Sequence, residues 1–293
     1  MSRRIGLDKV LLTPLLAFLL IFYIGPMAFD LWASVRSDGG ALSARGTFVG
    51  LAHYRSLLVD PRIWSSASIT LVFTIAVVLA TYGVGLAVAL TLNRKFFGRD
   101  VIGGLLLIPW TMPLVVVAVV WGWLLDYQFG VVNYALEQLG LVAQPVGFLT
   151  DTDLALTSVG VAQVWRLFPL AMVILLAALK AIPQELYEAA AIDGANRLQS
   201  FWHVTLPSIR STTVALVVLI AIWAFGRVFT IVFVMTGGGP AGATETLVIA
   251  TYLEAFRFFR LERASALGAM VLAVSVILTA LYLRASRDHS RQG

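Results

Sequence analysis

The chain has 293 residues, of which 59% are hydrophobic and only 13% charged, and its mean hydropathy of +0.89 is far above that of a soluble domain of this length. These values describe an integral membrane protein. No cysteine is present, which excludes disulfides, thiol catalysis and thiolate metal sites. The formal net charge of +5 does not point to nucleic acid, because the basic residues are scattered at the ends of apolar segments and form no stripe; membrane topology accounts for them better.

The N-terminal stretch Met1 to Lys9 carries Arg3, Arg4 and Lys9 and precedes an apolar run from Val10 to about Val35. This run is too long for the apolar region of a signal peptide and lacks a clear small-residue cleavage site, so it reads as a retained helix. Pro14 and Gly25-Pro26 are expected to kink it, with Asp30 near its outer end. Arg36 to Ser66, containing Gly39-Gly40 and Asp60-Pro61, reads as an ordered loop outside the lipid.

Ala67 to Leu92 and Val101 to Leu125 contain no charged residue. Each is long enough to cross a hydrocarbon core of about 30 Å at 1.5 Å per residue. The turn between them holds Arg94, Lys95 and Arg99 and is basic in the manner of a cytoplasmic loop. Pro109 and Pro113 interrupt the third span, and the backbone groups they free need a neighbouring helix or a wet cavity. Asp126 to Asp153 has no Lys or Arg, which fits an exterior loop.

Further spans are expected over 154–179, 214–235 and 264–283, with a long polar connection over 180–213. Six crossings put both termini on one side. With that side cytoplasmic, twelve Lys and Arg residues fall inside and seven outside, so both termini are expected in the cytoplasm together with the 180–213 connection. The run Thr236-Gly237-Gly238-Gly239-Pro240 lacks the Lys-Ser/Thr of a phosphate loop and reads as a helix stop and turn.

Within the 180–213 connection, Glu188 to Pro207 is a charged island too polar for lipid. Glu188, Ala189 and Ala190 favour a helix, Gly194 can break it through positive φ, and Arg197 to His203 can resume it before Pro207. The expectation is a short helix, a turn and a second short helix, a form suited to docking in a partner's groove.

This stretch also resembles a known family motif. Glu188-Ala189-Ala190, three residues, Gly194, nine residues, Val204, one residue and Leu206-Pro207 is similar to the EAA loop of permease subunits of bacterial binding-protein-dependent ABC importers, with Val204 where that family more often has Ile. Asp193-Gly194-Ala195, Phe201, the TGGGP run followed by Thr244-Glu245-Thr246-Leu247, Trp165-Arg166 followed by Pro169, and Ile182-Pro183 resemble its sugar and glycerol-3-phosphate permease branch, the maltose-permease-like group.

The resemblance implies an all-α type I importer permease with six transmembrane helices, forming a single membrane domain of the bacterial cytoplasmic membrane. It implies a second homologous permease, two ATP-binding subunits docked on the EAA loop and an extracytoplasmic solute-binding protein. ATP and Mg would sit on the partner ATPase, leaving this chain without a cofactor. Glu188 would pair with a basic ATPase residue, Ala189 and Ala190 would permit close approach, and Gly194 would form the turn. The implied function is carbohydrate import by alternating access, with glycerol 3-phosphate or a glycerophosphodiester as the alternative solute.

Arg166 and Arg227 lie near the middle of the expected fourth and fifth spans. An intramembrane arginine costs roughly 2.5–3.5 kcal/mol on insertion scales and therefore faces a cavity or a partner. No carboxylate in the spans lies at that depth. Both arginines are candidates for the solute path with Trp223, Phe225 and Phe229, suiting either an anionic solute or the hydroxyls of a neutral sugar; structural roles, for Arg166 above all, and ordinary helix packing remain the alternatives. His53, His203 and His289 share no metal-ligand spacing, and no catalytic triad or nucleophile elbow is present. An ion-coupled secondary transporter would call for membrane-embedded carboxylates and inverted repeats, neither of which is found.

Overall fold

Apolar runs of this length form helices because lipid leaves each backbone polar group to be satisfied within its own segment. Where these helices bend follows largely from proline. The computed structural model describes residues 7–37 and 47–289, with side chains over 12–37 and 47–280; Arg3, Arg4, Gly39, Gly40, Arg45 and Arg291 fall outside the described residues. Apart from a two-residue antiparallel ladder pairing Arg36 with Phe48 and Ser37 with Thr47, the described secondary structure is helical. Four helices are long and apolar enough to cross a membrane, or up to six if each of two bent pairs is one crossing.

The chain divides into two compact units, Met1–Trp64 with Ala250–Ala273 and Ser65–Ile249 with Val274–Gly293. In the first, the N-terminal helix runs as Leu7–Leu19, a π-helical turn Leu20–Ile24, and Gly25–Ala33. The widened turn falls just before Pro26, whose missing N–H cannot close the ordinary ladder. Of its described side chains, only Ala33 is buried, so this apolar helix offers nearly its whole surface to surroundings other than this chain.

The Arg36–Ser66 connection is more structured than a loop. It holds a helix Ala52–Leu58, pinned where Ser34 Oγ and Tyr54 Oη share a 2.7 Å hydrogen bond and where His53 Nε2 meets Arg36 O at 2.8 Å. The next helix, Pro61–Leu92, begins at Pro61 rather than Ala67. The reason is local: the Arg62 N–H donates to Asp60 Oδ1 at 2.9 Å, so Asp60 acts as N-cap and proline, with its preset φ, opens the helix.

Glu254 lies in the connection between the expected fifth and sixth spans, and its side chain is 1% exposed. Arg62 Nη1 donates to Glu254 Oε1 at 2.9 Å, Arg263 Nε lies 3.4 Å from Oε2, and Arg263 also pairs with Asp60. This network ties the start of one long helix, the π-helical turn Leu253–Arg257 and the start of the last helix, Leu261–His289, together within the first unit.

In the second unit the expected third span is broken. Helices Arg99–Leu105 and Ile108–Thr111 are followed, after a 96° bend, by Leu114–Leu124. Met112 takes ψ 139°, the extended conformation that the ring of Pro113 imposes on the residue before it. The connection after it contains a helix, Val131–Gln138, where sequence expected only loop. Buried Asn133 holds the connection closed, donating to Asp126 O and Val146 O and accepting from the Val146 N–H.

The Ala155–Lys180 helix carries Pro169 in its interior. It lies along Pro61–Leu92: a β-carbon on Gly160 would touch Phe73 at 3.9 Å, and one on Gly85 would come within 2.6 Å of Ala171 Cβ. Contacts rise along both helices together, so the two run parallel. The expected fifth span is discontinuous, with Arg210–Gly226 ending before Phe229–Met235 begins. No proline causes that break, and Gly226 precedes it. After it, Gly238 at φ +94° approaches Ile249 so closely that a β-carbon would lie 2.9 Å from its Cγ2, which is why glycine serves in the TGGGP turn.

Candidate functional site

Two places carry the residues singled out by sequence. The first is the helix–turn–helix over Gln184–Ser208. Pro183 precedes helix Gln184–Ile192, which contains Glu188, Ala189 and Ala190. The helix ends at Asp193 with Gly194 at φ +81°. The Ala195 N–H returns to Ala190 O at 2.9 Å and the Gly194 N–H to Ala191 O at 3.1 Å, the paired bonds of a Schellman cap, which favours glycine at this left-handed position.

Asn196 then caps the next helix. Its side chain accepts from the Gln199 N–H at 2.9 Å, while its own N–H donates to Gln199 Oε1 at 2.8 Å, a reciprocal capping box. Arg197–Ser200 continues as the π-helical turn Phe201–Thr205 and then Leu206–Ser208. As in the N-terminal helix, the wide turn falls just before a proline, here Pro207.

Tyr187 Oη and Thr205 Oγ1 share a 3.0 Å hydrogen bond that rivets the two halves. Glu188, Ala189, Asp193, Gly194 and Pro207 are exposed, whereas Ala190, Phe201 and Leu206 are half-buried. Ile192, Leu198 and Trp202 are exposed in this chain. A shallow groove lies between the halves, lined by Leu186, Ala189, Ala190, Gly194, Gln199 and His203. The result is a stiff projection with a charged edge and apolar tips, the geometry of a docking element.

The second place gathers the intramembrane arginines. Arg166 is half-buried with its Nε enclosed and without a hydrogen-bond partner among the described residues. The neighbouring Trp165 stacks edge-on against Trp121 at 5.8 Å. Arg227 caps the broken end of Arg210–Gly226; it is exposed in this chain, with its guanidinium 5.3 Å from the Trp223 ring centre. Neither arginine is among the ion pairs of the described residues. Phe229 stacks on Phe233 at 5.1 Å. Phe225 is buried in the helix contacts, apart from the open side where Arg227 stands.

Sequence reasoning missed three polar groups. Gln163, one turn before Arg166, is buried with Oε1 unpartnered, and the hydroxyls of Thr74 and Thr81 are likewise enclosed without partners. Gln163 was visible as an amide inside an apolar run three residues from an arginine. A distinct apolar cavity of about 430 Å³ lies between Phe73, Val77, Trp121, Gly160 and Trp165. No group of three or more potential metal ligands is present among the described residues.

Comparison with known proteins matches this architecture. Residues 81–289 fit the model of the family described as "Binding-protein-dependent transport system inner membrane component". The chain is 35% identical over 288 residues to the trehalose/maltose transport system permease protein MalF of Thermococcus litoralis, covering 97% of this chain and 95% of that protein. It is 33% identical over 279 residues to the sn-glycerol-3-phosphate transport system permease protein UgpA of Brucella abortus, covering 95% of this chain and 94% of the other. Among solved structures, a chain of a bacterial ABC transporter involved in the import of the acidic polysaccharide alginate superposes with a TM-score of 0.81 at 23% identity, over 96% of this chain and 95% of that one. The chain therefore belongs to the inner membrane component family of binding-protein-dependent transport systems, as a non-catalytic ABC permease subunit whose ATPase is a separate partner.

Proposed function

We propose that this subunit pairs with a second, homologous permease and carries a carbohydrate across the bacterial cytoplasmic membrane by alternating access, driven by two ATP-binding subunits that hold the ATP and Mg. The observation that carries the reading is the doubly capped, riveted projection over Gln184–Ser208. Nucleotide-driven closure of an ATPase pair is a rigid-body motion. A stiff docked element transmits such a motion, whereas a flexible tether absorbs it. Glu188 offers the charge for a basic ATPase residue, and Ala189 with Gly194 leaves room for close approach. A solute-binding protein completes the complex; a related structure, a bacterial alginate ABC transporter in complex with an alginate pentasaccharide-bound periplasmic protein, supports that partner.

A six-span topology with both termini in the cytoplasm is part of this reading. Pro61–Leu92 and Ala155–Lys180 run parallel, which supports a return crossing by the segment between them. On this reading the bent pair Arg99–Thr111 and Leu114–Leu124 is one crossing. Its break near Pro109 and Pro113 suits a cavity wall.

The solute path is assigned to Arg166, Trp223, Arg227 and Phe229, with Phe225 behind them. A second solute class, glycerol 3-phosphate or a glycerophosphodiester, is favoured by the two cationic side chains, Arg166 and Arg227, that the expected fourth and fifth spans carry. Uptake by the reconstituted complex tests the coupling role. Glu188→Lys or Gly194→Val should leave the subunit in the membrane yet reduce uptake at least tenfold and weaken co-purification of the ATPase. Normal uptake by both variants would remove the projection from coupling.

A further inference from the structure

We propose that the turn leading into the Val131–Gln138 helix is a binding site for a single neutral sugar ring, separate from the solute path between the spans. The proposal rests on the importer reading for the side of the membrane: with six spans this turn is exterior, where solute arrives. Tyr127, Gln128, Phe129, Tyr134, Glu137 and Pro145 line a cavity of about 260 Å³. Pockets for drug-sized molecules run from about 300 to 1,000 Å³, so this one admits a ring rather than a chain. Its walls are set before a ligand enters. Asp126 Oδ1 accepts from the Gln128 N–H at 2.9 Å and from the Phe129 N–H at 2.8 Å, which folds the turn on itself. Gly130 closes it where a β-carbon would lie 2.3 Å from Asp126 O. Buried Asn133 donates to Val146 O at 3.0 Å and accepts from the Val146 N–H at 2.8 Å, and so fixes the neighbouring Pro145 as the far wall. A preformed site loses little ordering entropy on binding.

The groups around the cavity match a sugar and no other solute class named above. Tyr127, Phe129 and Tyr134 are exposed, and their rings offer the flat apolar surface on which the C–H face of a pyranose lies. Gln128 and Glu137 are exposed beside them. Among the described residues, neither phenol, nor the Gln128 amide, nor the Glu137 carboxylate is spent on a hydrogen bond or ion pair within the chain. Phenols and an amide both donate and accept, and a carboxylate accepts strongly, which is the set that pairs with adjacent hydroxyls. Charge removes the alternative. The 126–153 connection carries Asp126, Glu137, Asp151 and Asp153 and no Lys or Arg, so a phosphate or a uronate would meet like charge with no counter-charge.

The test uses the complete complex in nanodiscs, with cysteine-free partner subunits and a nitroxide on Leu141→Cys in the same connection. Glucose, maltose, trehalose and sn-glycerol 3-phosphate are the probes, and broadening of their proton NMR lines reports binding beside the label. The expected result is broadening of the three sugars and not of the phosphate, with none from a label on Phe97→Cys, which the six-span reading puts on the opposite face. Tyr127→Ser and Tyr134→Ser should each raise the dissociation constant about 3- to 10-fold, as loss of an aromatic contact does. Tyr134→Phe keeps the ring and should lose less. Equal broadening of sn-glycerol 3-phosphate would overturn the site, as would sugar broadening that neither Ser variant alters. Absence of sugar broadening would overturn it as well; if the Ser variants then weaken capture of the solute-binding protein, the tyrosines belong to that interface. Uptake by the same complex in proteoliposomes separates the two readings. Sugar uptake without broadening removes the exterior site alone, whereas broadening without uptake of any probe upholds the site and removes the carbohydrate reading of the path.

Discussion

At the scale of single residues, the Gln184–Ser208 projection depends on hydrogen bonds that no motif records. Tyr187, beside the recognisable Glu188, reaches Thr205 across the turn at 3.0 Å, and Thr205 is buried. Removing the phenol leaves a buried hydroxyl with a weaker set of partners, a loss of about 1 kcal/mol. Tyr187→Phe should therefore loosen the projection without unfolding the subunit. The expected outcome is ATP hydrolysis that continues while solute moved per ATP falls a few-fold, checked by measuring both on one preparation. If Thr205→Val has the same effect and the double variant is no worse, the two side chains act as one unit.

At the scale of elements, close backbone approach joins two of the long helices. The contact of Pro61–Leu92 with Ala155–Lys180 at Gly85 is the tightest case, since a β-carbon would stand 2.6 Å from Ala171 Cβ and 3.1 Å from the Met172 nitrogen. Small residues at helix crossings permit such approach, and in lipid this packing replaces the hydrophobic drive that joins helices in water. Gly85→Val should force the helices apart at a cost of about 1–3 kcal/mol. A lower melting temperature of the detergent-solubilised subunit checks this, with Gly104→Val, where a β-carbon would meet nothing within 4 Å, as the neutral comparison. The fifth helix teaches the opposite lesson. Its apolar pattern from Val214 to Met235 is interrupted only by Gly226, Arg227 and Thr230, yet the ladder opens between Gly226 and Phe229 with no proline to cause it.

For the whole molecule, the absence of native cysteine makes topology directly measurable. Single cysteines at Phe97, Ala195 and Leu141 can be labelled with a membrane-impermeant maleimide in oriented membranes. Six spans with cytoplasmic termini require Phe97→Cys and Ala195→Cys to react from the cytoplasmic side and Leu141→Cys from the outside. Reaction of Phe97→Cys from the side opposite Ala195→Cys would discard the six-span count. The N-terminal helix is almost fully exposed in this chain over its described side chains.

By itself the sequence determined the properties that are periodic or local. Hydropathy set the positions of the apolar segments, Pro113 and Pro26 marked where helices would bend or widen, and the spacing from Glu188 to Pro207 specified the helix–turn–helix. Gly194 and Asn196 made that turn readable, because caps act over a few consecutive residues. The start of the second long helix at Pro61 was also written locally, in Asp60, but the polar composition around it masked the signal. Only the tertiary structure decided what depends on residues distant in the chain. Glu254 is buried because Arg62, 192 positions away, reaches it, and Tyr82 meets Thr213, 131 positions on, because two helices that are separate in sequence lie side by side. Such pairing is set by distance in space, which no period or spacing along the chain encodes.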